Sequence, residues 1–462
     1  MRCYNRESHH GIGKSMAQQV DASRITELRQ VVAGALAEAQ SSGASQADAD
    51  ASLQRGLTAT VRLGEIDTLE YHRDRGLAVT LYFGKAKGSA STADLSPTAV
   101  RETVLKAAAI ARHTTEDPCA GLPDAQDLAG ETADLDLYHP WELEPERAVA
   151  LARECEAAGL AVDARLKNSE GATLTTHSGV RVYGNSLGFV GALSSTSHSL
   201  SCALLAQEGS DMQRDYWYTV ARSPASLESA QAVGRRAAER AIARLSARRL
   251  STRRAPVLFC PDLARGLIGH FVGAIRGPSQ YRRASFLLDA AGQSVFPSFI
   301  DIVERPHILQ GLASTPFDAE GVATRDRDLV RAGVLQGYVL GTYSARKLGL
   351  RTTGNAGGIH NLLVSSAESG TFEQLLARMG QGLYVTELMG QGVNTVTGDY
   401  SRGASGFWVE GGRIAYPVHE LTIAGNLRQM LAGIVAVGSD VDVKGAIQTG
   451  SVLLSDMTIA GE

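Results

Sequence analysis

Eleven histidines and 49 acidic residues are ample material for acid–base or metal chemistry, so their spacing decides what they can do. The sequence contains no H-E-x-x-H and no C-x-x-C, and its G-x-S-x-G, Gly184-Asn185-Ser186-Leu187-Gly188, falls on a turn expected between two strands instead of between a strand and a helix. Those patterns would place two metal ligands on one helix face, pair two thiols, or lift a serine onto a sharp turn. His419-Glu420 begins as a zinc-protease helix does, but Ile423 and Ala424 stand where the second imidazole is needed one turn later. Pro417 also precedes it in strand-like sequence. His198 and Cys202 are four apart in a Ser/Thr-rich alternating run, where they share a face without the helical geometry that would bring them together. Gly13-Lys14-Ser15 looks like the end of a phosphate-binding loop, yet the loop's first glycine would fall at Ser8 and no strand precedes it.

His270 has the most to offer. It lies in Gly269-His270-Phe271-Val272-Gly273-Ala274-Ile275, seven residues after Leu263 on a helix expected over 262–275, and so borders the buried side. The ordinary fate of such a residue is a core histidine with a hydrogen-bonded ring. Cys260, just before this helix, and the many serines are candidate nucleophiles, and no motif sets a base beside them.

The elements that position these residues show in the hydrophobic period. Ile25, Leu28, Val32 and Leu36 repeat at steps of three and four, as on one helix face. Leu57, Ala59, Val61, Leu63 and then Leu77, Val79, Leu81, Phe83 alternate as half-buried strands, with bends expected at Gly64 and Gly76. Ser96-Pro97 supplies an N-cap and a first-turn proline for a helix bearing Val100, Val104 and Ala108. After a stretch without either period, Pro145 opens a helix to about Asp163. Several strands over 172–207 follow, turning at Gly184-Asn185 and Gly188, and then a helix near 226–244. A strand at 256–260, the His270 helix and glycine-punctuated strands complete the chain.

The expected class is therefore α+β. N-terminal and middle helix-plus-antiparallel-sheet domains precede a C-terminal glycine-rich mixed β sheet or barrel with helices. The divisions are a probable extension at 1–15, domains over 16–120 and 141–250 joined by a linker at 121–140, and a β-rich domain over 251–462.

Composition limits the function. With 462 residues, 44% of them hydrophobic, the chain can build two or three cores, and no apolar run approaches the roughly 18 to 20 residues of a membrane span. With no apolar N-terminal core, a cytoplasmic location and no membrane partner are expected. Cys3, Cys119, Cys155, Cys202 and Cys260 are odd in number and scattered, which suits reduced thiols. A net charge of −4 argues against a nucleic-acid partner, since phosphate binding needs a basic surface. The local exception is Arg235, Arg236, Arg240, Arg244, Arg248, Arg249, Arg253 and Arg254, expected as a solvated helix face running into a linker.

Several long strings are specific: Gly88-Ser89-Ala90-Ser91-Thr92-Ala93-Asp94-Leu95-Ser96-Pro97, Gly311-Leu312-Ala313-Ser314-Thr315-Pro316-Phe317-Asp318 and Gly357-Gly358-Ile359-His360-Asn361. The clearest is Thr386-Glu387-Leu388-Met389-Gly390-Gln391-Gly392, leading to Thr397-Gly398-Asp399-Tyr400-Ser401-Arg402-Gly403. On these strings the sequence, over nearly everything after residue 20, resembles the PmbA/TldE branch of the TldD/PmbA metalloprotease family. In that family the TldD type carries H-E-x-x-x-H on a helix, two histidines for zinc and a glutamate as general base. Matched by position, the first histidine falls on Gly269, the glutamate on His270 and the second histidine on Ala274. The family's further cysteine ligand falls on Thr449. Glycine and alanine offer no lone pair, and a threonine is a poor zinc ligand.

The resemblance thus implies a chain with no cofactor and no catalytic or metal residue of its own, with zinc carried by a TldD-type partner subunit. It implies a pair that degrades unfolded peptides and trims precursor peptides, inactive as this chain alone, with a homodimer formed when the partner is missing. His270, His360, Asp399, Tyr400 and Arg402 are the polar residues expected near the shared peptide cavity, each with turn or interface roles as the plain alternative. Two other readings compete. One is a stand-alone peptide hydrolase using a serine or Cys260. The other is a regulator associated with DNA gyrase, resting on Arg248, Arg249, Arg253 and Arg254 and on the family's older description as modulator of DNA gyrase.

Overall fold

The computed structural model describes residues 10–461, with side-chain surroundings from residue 22 onward. Residues 1–9 of the expected extension, including Cys3 and Ser8, lie outside the described residues. In the N-terminal half the order is α1 (His10–Ser41), β1 (Gln46–Arg62), β2 (Glu65–Phe83), β3 (Ala86–Thr92), α2 (Pro97–His113), α3 (Pro145–Leu160), β4 (Leu166–Asn185), β5 (Val190–Glu208), β6 (Asp211–Ala221) and α4 (Ala230–Ala243).

β1 pairs antiparallel with both β2 and β4, so the six strands form one sheet in the order β3-β2-β1-β4-β5-β6. The two helix-plus-sheet units are therefore halves of a continuous surface. Alternation in β1 buries Ala47, Ala49, Ala51, Leu57, Ala59 and Val61 on the face that carries the helices. α1 closes one end of that face with Leu28, Val32, Ala35 and Ala39, while Ile25 and Leu36 pack at its margin. α2 is set by Ser96, whose Oγ accepts from the Ala99 N–H, and by Pro97 at its first turn. α3 and α4 cover the other end, around Val149, Val233 and Leu204. Their backbones nearly touch: a Cβ on Gly234 would stand 1.9 Å from the Cys155 carbonyl oxygen, so only glycine fits there.

Three expected boundaries shift. Gly64 makes the β1–β2 turn with φ +80, but Gly76 makes no bend, because β2 continues through it paired with Ser52. α3 stops at Leu160 because the Asp163 carboxylate folds the next turn by accepting from the Arg165 N–H and its guanidinium. α4 starts at Ala230, capped by Ser229 Oγ, after a separate short turn at Pro224–Ser226.

The C-terminal half runs β7 (Arg253–Phe259), α5 (Pro261–Ile275), α6 (Gly277–Tyr281), β8 (Ile300–Glu304), β9 (Arg327–Arg331), β10 (Val334–Leu335), α7 (Thr342–Lys347), β11 (Leu362–Ser366), β12 (Ser369–Gly370), α8 (Phe372–Met379), β13 (Gly382–Met389), β14 (Asp399–Glu410), β15 (Arg413–Asn426), α9 (Leu427–Ala432), β16 (Ile434–Gly438), β17 (Ile447–Gln448) and β18 (Val452–Ala460). β7, β13, β14, β15 and β18 form a closed barrel, because β18 pairs with β15 on one side and with β7 on the other. A second sheet, β10-β9-β8-β11-β17, completes the mixed α+β domain. α5 packs its apolar face into the main core, where Phe271 meets Phe296 edge to face at 4.9 Å. Burying one such ring is worth about 2–3 kcal/mol.

The linker between the N-terminal and middle units is anchored to this domain. The Ala129 N–H donates to the Gly321 carbonyl and the Ala323 N–H to the Asp127 carbonyl, while Arg346 and Arg351 reach Asp124 and Asp127. No described helix is long and apolar enough to cross a membrane.

Candidate functional site

α5 begins at Pro261, whose missing N–H costs nothing in a first turn, with Asp262 beside the helix's positive end. The buried stripe is Ala264, Leu267, Ile268, Phe271, Val272, Ala274 and Ile275. His270 borders it, half-buried, and its ring meets Tyr400 of β14 edge to face with centroids 6.1 Å apart. Burial, and secondarily the Arg402 guanidinium, hold the imidazole below its usual range, so it is neutral near pH 7. Burial pushes the Tyr400 phenol up to about 12, with Arg402 opposing. Arg402 donates through Nε to the Met389 carbonyl at 3.2 Å across β13 and β14.

The two other expected cavity residues are engaged elsewhere. Asp399 is exposed and accepts from Thr397 Oγ1 at 2.6 Å, closing the turn that enters β14. His360 belongs to a buried network around Glu304, which is 1% exposed. Glu304 accepts from Arg327 Nε at 2.6 Å, Asn355 Nδ2 at 2.9 Å and the His360 N–H at 2.7 Å. The His360 ring bonds through Nε2 to the Gly354 carbonyl oxygen, 3.0 Å away, which fixes the Gly354–Asn361 loop. The fold thus brings together His270, Tyr400 and Arg402, and engages Asp399 in a turn and His360 in a buried network.

The residues at the zinc-motif positions do not fit a zinc ion. Gly269 and Ala274 carry no donor, and His270 offers one imidazole. Thr449 is fully buried just after β17, a strand that packs on α5, and its Oγ1 donates to the Gly450 carbonyl at 3.1 Å. Among the described residues no three His, Cys, Asp or Glu side chains converge as a metal site. A Cβ on Gly269 would meet nothing within 4 Å, so packing does not demand the glycine.

A second feature of α5 escaped the sequence reading. Its N-terminal end faces a cleft of about 600 Å³ between β6 and the barrel domain. Asp262 accepts from Arg265 Nη2 at 2.6 Å, and Lys444 Nζ lies 3.7 Å from Asp442. Burial raises the Asp262 carboxyl, reinforced by its hydrogen bond with Asp442. For Asp442 burial acts the same way, but the hydrogen bond from Asp262 and the Lys444 N–H outweigh it and hold the group low. The Trp217 ring has the Arg236 guanidinium 4.0 Å and Lys444 Nζ 3.7 Å from its centre, and it donates Nε1–H to Glu228. The only cue in the sequence was the run Asp440-Val441-Asp442-Val443-Lys444, too short to name partners.

The groups behind the competing readings are also placed. Cys260 is 4% exposed and burial pushes its thiol up to about 12, far from a nucleophile's range. His198 is fully buried, its ring bonded to Thr176 Oγ1 and the His139 carbonyl, each 2.9 Å away. Glu420, beside His419, pairs with Arg249 from within β15. In the arginine run, Arg240 and Arg244 meet Asp215, Arg254 meets Asp456, and Arg248 and Arg253 stack on Tyr416 and Trp408. Arg240 and Arg244 are thus withdrawn into ion pairs, while Arg248 and Arg254 stay exposed to solvent though stacked or paired.

Comparison with known proteins adds kinship. Three parts of the chain match models of one family: PmbA/TldA metallopeptidase domain 1 over residues 47–111, the central domain over 138–245 and the C-terminal domain over 252–461. A protein named Metalloprotease PmbA, from Escherichia coli O157:H7, is 49% identical over 452 residues, covering 98% of this chain and all of that one. A Metalloprotease PmbA homolog from Haemophilus influenzae is 48% identical over 94% of this chain and 96% of its own length. Among solved structures, a putative modulator of DNA gyrase from Bacteroides thetaiotaomicron superposes with a TM-score of 0.89 at 25% identity, covering 94% and 99% of the two chains.

Proposed function

Since the chain belongs to the PmbA/TldD metallopeptidase family, we propose that it is the subunit without metal in a two-subunit zinc protease of TldD/TldE type. The observation that carries this reading is the donor set on α5: Gly269, His270 and Ala274, with a buried, self-satisfied Thr449 nearby. Zinc then belongs to a TldD-type partner, and the substrates are unfolded or precursor peptides. This chain supplies wall and anchoring groups. An extended peptide binds largely through its own backbone, so exposed sheet edges and loops accept many sequences. At the His270–Tyr400–Arg402 corner the neutral imidazole and phenol offer hydrogen bonds, and the guanidinium offers a cation to a peptide carbonyl or carboxylate.

The test compares zinc content and peptide cleavage for this chain alone, a TldD-type subunit alone and their mixture. Cleavage confined to the mixture, with zinc following the partner, is the expected result. One tightly bound zinc per copy of this chain, or cleavage by it alone, would overturn the proposal.

A further inference from the structure

The helix layer on the six-stranded sheet has a gap. Its two buried cores reach the sheet on either side of Arg55: α1 and α2 cover β1 up to Leu53, while α3 and α4 cover it from Leu57 onward. Arg55 belongs to neither core and is exposed on a face to which β1 otherwise turns Ala, Leu and Val. The pairing is regular here, with Arg73 opposite Arg55 and Arg75 opposite Leu53, so alternation turns both to that same face. Arg24 of α1 and Tyr138 of the linker stand at the walls of the resulting cavity, whose volume is about 310 Å³.

Four guanidinium groups therefore line one small space. Asp74 is the acid along its lining, but alternation turns that side chain to the opposite face, within electrostatic reach of His177. Elsewhere in these two domains arginines are matched: Arg101 with Glu38, Arg165 with Asp163, Arg181 with Asp50 and Arg214 with Glu170. None of the four at the gap has a carboxylate partner among the described residues. Arg55 Nε donates to the Ser178 hydroxyl at 3.0 Å, and Asp94 lies within electrostatic reach of Arg75 without pairing with it. Arg55 and Arg73 sit on adjacent strands about 5 Å apart, and like charges directly opposite destabilise a sheet. In a chain of net charge −4, that local concentration of cations costs stability until an anion enters.

We infer that this gap binds a compact polyanion through its phosphate groups. The planar guanidinium fork matches phosphate oxygens with two parallel hydrogen bonds. The Ser178 hydroxyl holds Arg55 by Nε, which leaves the outer nitrogens of that fork for the ligand. An extended acidic peptide suits the site less well, because its carboxylates recur on one face only every second residue, about 7 Å apart. Phosphates joined by a shared oxygen concentrate their charge within such a step, as four bases around one cavity require. The site is distinct from α5, and the inference does not depend on the protease reading.

The experiment measures binding of inorganic triphosphate to the full chain by calorimetry at low salt. One saturable site per chain is the expected result. Arg73→Gln/Arg75→Gln should weaken it at least about tenfold. The control Arg331→Gln/Arg378→Gln, which alters two arginines of the C-terminal domain paired with Asp328 and Glu368, should change it less than about twofold. All four side chains are exposed, so both variants are expected to fold as the parent does. Without ligand, Arg73→Gln/Arg75→Gln should melt at or above the parent temperature, since the repulsion from Arg55 is gone, and it should lose the rise that triphosphate gives the parent. Tighter binding of ATP than of triphosphate names a nucleotide as the source of the phosphates, and equal or weaker binding names a free polyphosphate. No binding by the parent, unchanged affinity in Arg73→Gln/Arg75→Gln, equal losses in the two variants, or binding of a short DNA duplex without binding of triphosphate would each overturn the inference.

Discussion

The His270 and Tyr400 rings meet with their planes at 78°, tying the middle of α5 to the second residue of β14. The contact sets a half-buried imidazole against a phenol, and the charge that acts on it is the Arg402 cation. The corner is therefore built to hold His270 neutral.

That electrostatic setting is measurable. Because burial and Arg402 lower the His270 proton affinity below its ordinary 6.5, the unfolded chain binds this proton more readily. The histidine's contribution to stability is complete above about pH 6.5 and is lost as pH falls through the lower folded value. Titration by histidine NMR should give a midpoint below 6.5 in the parent, and Arg402→Gln should move it upward. An unmoved midpoint would mean that burial alone sets it.

Gly269 makes a separate case. A glycine inside a helix costs roughly 0.5–1 kcal/mol relative to alanine, and the space beside this one is open. Gly269→Ala should therefore stabilise the chain by about that amount in urea unfolding. Destabilisation would show that backbone approach, invisible in this chain alone, requires the glycine.

Cys260 should be inert. With the thiol pushed up to about 12 and 4% exposed, alkylation by iodoacetamide at pH 8 should be far slower than for a free thiol. Cys260→Ala should leave peptide cleavage by the two-subunit mixture unchanged. Loss of cleavage, with the fold intact, would revive a thiol mechanism.

Local signals in the sequence located the individual elements well. Ser96-Pro97 marked the start of α2, and the helix expected over 262–275, with His270 seven residues after Leu263, is α5. The C-terminal domain was legible as a glycine-rich mixed sheet or barrel, but the order in which its strands pair was not. β7 pairs with both β13 and β18, and alternation within a strand carries no information about distant partners. Gly76 looked like a bend because glycine permits one, whereas strand pairing to Ser52 decides against it. The family resemblance names His270, Tyr400 and Arg402, which the fold brings close together. Trp217 and Lys444, stacked across the cleft, left no periodic trace.

Glu304 was also missed, as one acid at the end of an ordinary strand, and it gives the sharpest stability test. It is almost wholly enclosed and accepts hydrogen bonds from three parts of the chain: Arg327, Asn355 and the His360 backbone. Replacing it by alanine leaves Arg327, whose side chain is 20% exposed, without its counter-charge, and removes the acceptor that holds the His360 loop. Losing one partner of such a buried pair costs about 3–5 kcal/mol. Glu304→Ala should therefore lower stability by that order in urea unfolding. His360→Ala, which keeps the backbone N–H donor to Glu304, should cost less, about 1–2 kcal/mol for one ring hydrogen bond and some packing. If His360 is structural, that variant mixed with a TldD-type subunit should cleave peptide with an unchanged KM once folded. A raised KM at parental stability would move His360 from the loop scaffold to the peptide path.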